Sequence, residues 1–207
     1  MAVKKKIDRR PHRTKRRLSN ALVELIKEKR FDDITVQNVI DRADVGRSTF
    51  YTHFRDKEDL LQKDWQRFLD EFAKHITWAN AGLGSFVPVV HLCRHLQDFQ
   101  PFYKGLVRSR KVDSLFKIGA NHLARKIETS LTTLIPGRTS CSTSPLPLEA
   151  TSPPPIPILA NFLASELFVL LKWWLDHEMP FTPDRVDEIY HQLVNPTLSA
   201  LNLRDEN

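Results

Sequence analysis

The amino-acid sequence predicts an all-α protein of about nine helices, and three observations support that prediction. Apolar residues recur every three or four positions over most of the 207 residues, which is the spacing of one buried helix face. No stretch of any length alternates apolar and polar residues as a half-buried strand would. Prolines, glycines and capping residues separate the periodic stretches, and they divide the chain into successive helices.

Three helices are predicted in the first 54 residues. The first spans about residues 12–29, with these apolar positions at helical spacing: Leu18, Ala21, Leu22, Leu25 and Ile26. Thr35 is a favoured N-cap residue and opens a short second helix, Val36 to Ala43. The turn Asp44-Val45-Gly46 then leads to a third helix, Arg47 to Phe54.

A longer fourth helix follows, and the sequence predicts that it connects two parts of the chain. Asp56 is its N-cap residue, and Asp59 occupies the capping-box position in place of the usual Glu. The helix ends near Asn80, and its apolar stripe consists of Leu61, Trp65, Phe68 and Phe72. We therefore expect three segments: residues 1–56, a connecting helix at 57–80, and a C-terminal domain at 81–207.

The C-terminal segment begins after Gly82 and Gly84, and shorter helices are predicted at about 85–97, 101–109 and 112–135. Residues 136–157 hold seven of the 13 prolines together with a Ser/Thr cluster, which predicts a structureless loop. An apolar helix at about 158–178 follows and ends at Pro180. Thr182-Pro183 opens the final helix with a favoured N-cap and first residue. Its stripe is Val186, Ile189, Tyr190, Leu193 and Val194.

The positive charge is concentrated at the N-terminus. The chain has a formal net charge of +6, of which residues 1–17 contribute +8 and the remaining 190 residues −2. A basic arm on a slightly acidic body indicates a polyanionic partner, either nucleic acid or an anionic membrane. Membrane binding is the weaker alternative, because the arm lacks apolar anchors. The first eight residues are expected to be disordered in the free protein.

Composition argues against several classes of protein. The chain has only two cysteines, and no secretory signal follows the basic arm, so we expect a cytoplasmic protein. The helix at 158–175 is long enough for a membrane, but Asn161, Glu166 and Lys172 indicate a soluble core helix. No phosphate-binding loop or nucleophile elbow occurs, so no enzyme activity or cofactor is expected. His91 and His95 have a spacing that can bind a metal, but without an evident third ligand we expect a surface or core role.

Helices two and three, joined by three residues, have the dimensions of a DNA-binding helix-turn-helix. Phe50 and Phe54 can anchor the third helix to the core beneath it. Its outward residues then have side chains of the kinds that contact base edges and phosphates: Arg47, Ser48, Thr49, Tyr51 and His53. The alternative is an ordinary three-helix bundle with a polar face, and the adjacent basic arm favours DNA binding.

Residues 31–61, FDDITVQNVIDRADVGRSTFYTHFRDKEDLL, closely resemble the N-terminal signature of TetR-type transcriptional regulators. The shared pattern is a Thr-capped helix, an Ala-x-Val turn, Thr-Phe-Tyr-x-His-Phe, and a charged Asp-Lys-Glu start to helix four. The resemblance covers roughly residues 10–75. The segment Lys-Trp-Trp-Leu and the following Met-Pro-Phe-Thr-Pro-Asp also resemble one regulator subtype.

The resemblance implies a set of DNA-binding residues. Arg47, Ser48 and Thr49 would enter the major groove, and Arg47 is the best candidate for a guanine contact. Gln37 occupies another position that reaches bases in some relatives. The remaining members would bind the DNA backbone: Thr35, Tyr51, His53, Lys57 and Arg13.

Two positions depart from the family pattern. The family often has Gly where Asp44 stands, but Asp tolerates a left-handed backbone better than most residues. Gly46 stands where Ser or Thr is common, at a cost of a few tenths of a kcal/mol in capping. Neither departure argues against DNA binding.

The resemblance also implies a C-terminal domain that dimerises and binds a small molecule. The dimer-interface candidates lie on the last two helices: Trp173, Trp174, Phe168, Ile189, Tyr190 and Leu193. The polar candidates for a ligand pocket are Glu166, Asn161, Ser165, His91 and His122. Alternatively, the two helices only complete their own domain, and Glu166 is a hydrogen-bonded structural residue.

The sequence thus predicts a homodimeric repressor that binds a palindromic operator in double-stranded DNA and is released by an unknown small-molecule effector. The alternative is a ligand-binding or interaction protein on the same scaffold, an activator or co-regulator with weak DNA specificity.

Overall fold

A computed structural model describes residues 10–76, 86–134 and 154–199 of the chain. Those residues form nine α-helices and one 3₁₀ turn, and they contain no strand, which confirms the predicted all-α class. The helices are α1 (Arg10–Glu28), α2 (Val36–Ala43), α3 (Arg47–His53), α4 (Lys57–Ala73), α5 (Val89–Asp98), α6 (Gln100–Arg108), α7 (Val112–Leu134), α8 (Ile156–Asp176) and α9 (Pro183–Ser199). The 3₁₀ turn is Phe31–Asp33, the Phe31 turn.

The capping signals placed the short helices well. Helix α2 has the predicted bounds, and its N-cap Thr35 accepts a hydrogen bond from the Asn38 N–H at 3.1 Å. Helix α9 begins at Pro183 behind an N-cap threonine, Thr182, whose Oγ1 accepts from the Arg185 N–H. The expectation that helix four ends near residue 80 is wrong, because α4 ends at Ala73 and residues 74–75 form a turn. Two expectations lie outside the described residues: the disordered arm and most of the proline-rich loop.

The described residues form two compact units. The N-terminal unit contains the chain through Trp65 together with residues 99–114, and the C-terminal unit contains residues 66–98 and 115 onward. Helix α6, which the sequence placed in the C-terminal segment, therefore packs with the N-terminal helices. Its apolar spacing could be read from the sequence, but its packing partner could not.

A glycine makes the contact between α6 and α1 possible. A Cβ atom on Gly105 would lie 2.4 Å from the backbone oxygen of Ile26, so the backbones of the two helices are in close contact at this point. Ser109, one turn further on, is 4% exposed, and its Oγ accepts a hydrogen bond from the Phe31 N–H at 2.8 Å. Lys111 extends the contact, with Nζ 3.4 Å from Asp32 and 5.5 Å above the Phe31 ring. These contacts fasten α6 to the end of α1 and to the Phe31 turn.

Helix α8 forms the centre of the C-terminal unit. Nine of its residues are buried: Ile156, Leu159, Ala160, Leu163, Ala164, Leu167, Phe168, Leu171 and Trp174. Tyr190 of α9 donates from its hydroxyl to the Leu163 carbonyl at 3.0 Å. Of the described helices, α8 is the one whose length and composition would also allow it to cross a membrane. Its long buried face fits the core helix that the sequence predicted.

His191 of α9 is buried and caps the start of α5. The Nε2 atom of His191 accepts from the backbone N–H groups of Phe86 and Val87 at 3.1 and 3.3 Å, while Nδ1 donates to the Asp187 carbonyl at 2.8 Å. The Asp187 carboxylate accepts from the Val90 N–H at 3.2 Å. Burial opposes ionisation of Asp187, but hydrogen bonding to His191 and to backbone N–H groups lowers its pKa. This pair is not among the residues predicted from the sequence, although its i, i+4 spacing is visible there.

We predict that Gly105→Ala destabilises the protein, because the added methyl group meets a backbone oxygen that cannot rotate away. Overpacking of this kind costs about 1–3 kcal/mol, so the urea midpoint followed by circular dichroism should fall. Gly46→Ser is the control, because a Cβ there meets nothing closer than 3.8 Å and Ser caps a helix slightly better. Equal midpoints for the wild type and Gly105→Ala would contradict the close contact.

Candidate nucleic-acid interface

Two local features set the direction of helix α3. Asp44 ends α2 in the left-handed conformation, with φ 49° and ψ 57°, as predicted for an Asp at this position. Arg17 of α1 holds the Asp44 carboxylate at 2.8 Å. Phe50 and Phe54 are buried and face each other with ring centroids 5.8 Å apart. The opposite side of α3 is therefore turned outward.

The outward side of α3 carries the predicted recognition residues. Arg47, Ser48 and Thr49 are exposed at its first turn, and Tyr51 is 50% exposed one turn later. The Tyr51 ring packs edge-on against the Phe50 ring, with ring centroids 5.4 Å apart. Arg13 of α1 is also exposed. Within the described part of the chain, these residues thus form an accessible surface of hydrogen-bond donors.

Thr35 has a second function besides that predicted for DNA. Its Oγ1 accepts from the Asn38 N–H while the Asn38 side chain accepts from the Thr35 N–H, which forms a complete capping box. Lys29, the residue after α1, donates to the same Asn38 oxygen at 2.6 Å. The Thr35 hydroxyl hydrogen remains available for a phosphate oxygen, because the cap uses only the hydroxyl's acceptor.

A hydrogen-bonded chain links α2 to α3 on the exposed side. Arg47 donates from its guanidinium to the Gln37 Oε1 at 2.8 Å. Gln37 in turn donates from Nε2 to the Asp41 carboxylate at 2.7 Å, one helical turn further along α2. The two residues with predicted base contacts are thus joined to each other in the free protein, and Asp41 joins them without having been predicted.

His53 lies at the C-terminal end of α3 and is partly buried. Burial lowers the pKa of its imidazole, and the positive charges of Lys15 and Lys63 lower it further. A neutral His53 can donate one hydrogen bond to a phosphate oxygen.

Lys57, a predicted phosphate contact, is bound to backbone oxygens in this structure. Its ammonium donates to three backbone oxygens, those of Phe31, Asp32 and Ile34, at 2.7, 3.1 and 2.6 Å. It also lies 4.7 Å above the Phe31 ring. Because an ammonium has three N–H donors, none is left for a phosphate. We therefore assign Lys57 to the Phe31 turn and remove it from the proposed DNA contacts.

The predicted dimer residues divide into two groups. Trp174, Phe168 and Tyr190 are at most 4% exposed and belong to the core of the C-terminal unit, so they do not lie at its surface. Ile189 is half-buried, whereas Trp173 and Leu193 are 43% and 62% exposed. The outer face of α8 adds three apolar side chains that sequence reasoning did not name: Ile158, Phe162 and Val169.

The five candidate ligand residues are not brought together. Asn161 and Ser165 are exposed on the same outer face of α8, and the Asn161 amide donates back to the Pro157 carbonyl at 2.8 Å. His91 is exposed, with its ring 6.4 Å from that of His75. Glu166 is half-buried. The described residues contain no group of three side chains that could hold a metal ion.

His122, the fifth candidate, is half-buried and engaged. Its Nε2 lies 2.9 Å from the Asp70 carboxylate, to which Lys126 also donates at 2.9 Å. Hydrogen bonding to Lys126 lowers the Asp70 pKa against the opposing effect of burial, and His122 lowers it further. This cluster joins α4 to α7 inside the C-terminal unit.

Comparison with known proteins gives a consistent result. Residues 18–63 match the model of the N-terminal domain of bacterial regulatory proteins of the tetR family. An uncharacterized HTH-type regulator of Bacillus subtilis strain 168, YxbF, is 37% identical over 78 residues. DhaS of Lactococcus lactis, described as a transcriptional activator of the dhaKLM operon, is 24% identical over 119 residues. These matches take in 37% and 55% of this chain but only 20% and 60% of the two relatives.

Solved structures resemble the chain over most of its length. A TetR transcriptional regulator from Streptococcus agalactiae 2603V is 26% identical with a TM-score of 0.56, over 90% of this chain and 96% of that one. The structure of DhaS has a TM-score of 0.53 at 19% identity, over 92% and 97% of the two chains. The second likeness concerns the fold alone.

We predict that Lys57→Met lowers the free energy of unfolding by about 1–3 kcal/mol, because three carbonyl oxygens lose a charged donor. Lys104→Met is the control, since Lys104 is an exposed lysine of the same unit. Chemical unfolding measures both. Unchanged stability of Lys57→Met, together with a salt slope of DNA binding that is shallower by about 0.9, would instead restore the phosphate contact.

Proposed function

We propose that this chain, whose residues 18–63 match the tetR-family model, is a TetR-family transcriptional regulator that acts as a homodimer and represses transcription from a palindromic DNA operator until a small molecule releases it. The observation that carries the DNA-binding part is the exposed side of α3. Arg47, Ser48, Thr49 and Tyr51 stand there together, supported from below by Phe50 and Phe54. The proposed activity is binding and regulation, without catalysis.

A helix of this size fits the major groove of B-DNA, where each base pair presents a distinct pattern of donors and acceptors. Arg47 is the candidate for a guanine, since a guanidinium matches the O6 and N7 acceptors. Gln37, on α2, would contact the neighbouring base pair. Thr35, Tyr51 and His53 would bind phosphates on either side and so fix the position of α3 in the groove.

The basic arm supports the same proposal. Arg13 on the first turns of α1 is exposed, and the residues before it add further positive charge. We propose that the arm binds along the backbone or in the minor groove, as homeodomain arms do. This contact would be independent of sequence and would weaken with salt.

The outer face of α8 supports dimerisation. Ile158, Phe162, Val169 and Trp173 are 40–63% exposed at helical spacing, and Leu193 of α9 is 62% exposed. We propose that these residues meet their copies in a second subunit and form a four-helix interface. Two copies of α3 spaced about 34–36 Å would read a palindromic site.

The alternative to repression is activation of transcription. DhaS, which is 24% identical to this chain, is described as an activator. An activator of the same fold would bind DNA through the same surface, so only a transcription assay with and without this protein separates the two. As a DNA-binding regulator, the protein would work in the cytoplasm.

The direct test is a gel shift with duplex DNA that flanks the protein's own gene. The double variant Arg47→Ala, Tyr51→Ala should lose the specific complex. If it binds that DNA like the wild type, the assignment of the binding surface fails. A scaffold protein with weak DNA specificity would instead bind flanking and random DNA equally.

We predict that Arg47→Ala and Arg13→Ala weaken binding in different ways. Arg47→Ala should cost about 1–3 kcal/mol on the specific site and relax the preference at one base pair. Arg13→Ala should weaken specific and random DNA alike and make the salt slope shallower by about 0.9. Titrations at several salt concentrations measure both effects. Identical behaviour of the two variants would contradict the division into base and backbone contacts.

We predict that Val169→Glu converts the dimer to a monomer, because it places a charge on the 63% exposed residue of the apolar face. Sedimentation measures the mass. Asn121→Glu is the control, since Asn121 is an exposed polar residue on a different helix, α7. A Val169→Glu protein that sediments like the wild type would exclude this face as the interface.

A further inference from the structure

We propose that Asp41 is a positioning residue that determines base preference, because it fixes Arg47 and Gln37 as one donor-only recognition unit selective for guanine over adenine. This inference rests on the proposed DNA-binding function and refines it. It assigns a function to Asp41, an exposed residue that is not among the predicted DNA contacts.

The direction of each hydrogen bond among these three side chains is determined by chemistry. A carboxylate can only accept, so Gln37 must turn its Nε2 group toward Asp41, at 2.7 Å. A guanidinium can only donate, so Arg47 must approach the opposite atom of the amide, Oε1, at 2.8 Å. Both ends require the same orientation of the Gln37 amide, and the reversed orientation would lose both hydrogen bonds.

This orientation decides what the pair offers to DNA. Of the five N–H donors of Arg47, one is used by Gln37. Of the two amide hydrogens of Gln37, one is used by Asp41. The Gln37 carbonyl oxygen is the one acceptor of the pair, and Arg47 uses one of its two lone pairs and places a positive group beside it. The N–H groups that remain are donors, and both side chains are exposed.

A glutamine whose side chain is not held by neighbours can select adenine. It donates to N7 and at the same time accepts from the N6 amino group, which requires its carbonyl oxygen. Guanine presents two acceptors, N7 and O6, in the major groove and so matches a donor-only pair. Because the two side chains are 2.8 Å apart and base pairs rise by about 3.4 Å, the unit spans neighbouring base pairs. We therefore expect guanine at both.

The experiment is a selection of bound duplexes from a library with a randomised segment of about 30 base pairs, using the full-length protein at about 0.15 M salt. Arg47→Ala and Gln37→Ala identify which position of the selected motif each residue reads. At the Gln37 position, the wild type should favour guanine over adenine about tenfold, in the range of one good base contact.

Three variants isolate the orientation effect. Asp41→Asn has the same shape but can also donate, so it removes one of the two constraints on the Gln37 amide and leaves only the hydrogen bond from Arg47, and the guanine preference should fall toward one. Asp41→Glu remains a pure acceptor within reach of Gln37 at i, i+4, so it should retain the wild-type preference. Asp33→Asn is the charge control, because Asp33 is exposed on the Phe31 turn and should leave the preference unchanged.

The outcomes distinguish the positioning role of Asp41 from the proposed DNA-binding function on which it rests. An Asp41→Asn protein that selects guanine as strongly as the wild type would overturn the positioning role, and so would an Asp41→Glu protein that relaxes as far as Asp41→Asn. In either case a selected motif would still support sequence-specific DNA binding. A wild-type selection that yields no motif at all would overturn both proposals.

Discussion

The N-terminal unit depends on hydrogen bonds to the backbone groups of one short turn. Phe31–Asp33 interrupts the chain between α1 and α2, and its backbone groups have few helical partners of their own. Lys57, the first residue of α4, donates to three carbonyl oxygens in and after this turn. Ser109, the residue after α6, accepts a hydrogen bond from the Phe31 N–H. The Phe31 side chain itself is fully buried. Segments distant in sequence thus meet at one point, and α2 and α3 are held on the framework that results.

This arrangement leaves the exposed side of α3 without a part in holding the N-terminal unit together. The polar groups that stabilise the unit lie around the Phe31 turn, in the Thr35 capping box and in the Arg17–Asp44 pair. The exposed side of α3 carries no core residue, because Phe50 and Phe54 secure the helix from the other side. Its donors can therefore be arranged for DNA, and their one internal constraint is the chain from Arg47 through Gln37 to Asp41.

Local chemistry made much of this predictable. Thr35 and Thr182 marked helix starts, Asp44 tolerated the left-handed turn, and the spacing of Phe50 and Phe54 turned Arg47 outward. What the sequence could not supply was the partner of each side chain. A lysine at a helix start resembles a phosphate contact, but Lys57 is directed by carbonyls 23 to 26 positions earlier. Likewise, adjacent tryptophans look alike in sequence, yet Trp174 is buried and Trp173 is 43% exposed, because a helix turns them to different sides. The five ligand candidates are likewise not brought together, and for the three on α8 the apolar sequence does not reveal which polar residue faces inward.

If α3 is a recognition helix, this protein must distinguish one DNA sequence from others through its N-terminal unit. The most direct measurement is the ratio of dissociation constants for random duplex DNA and for the best duplex from the gene-flanking region, both at about 0.15 M salt. A sequence-specific regulator should give a ratio of about 10³ or more. A ratio near one would mean that the basic arm binds DNA without reading it, and it would contradict the assignment of α3 as the recognition helix.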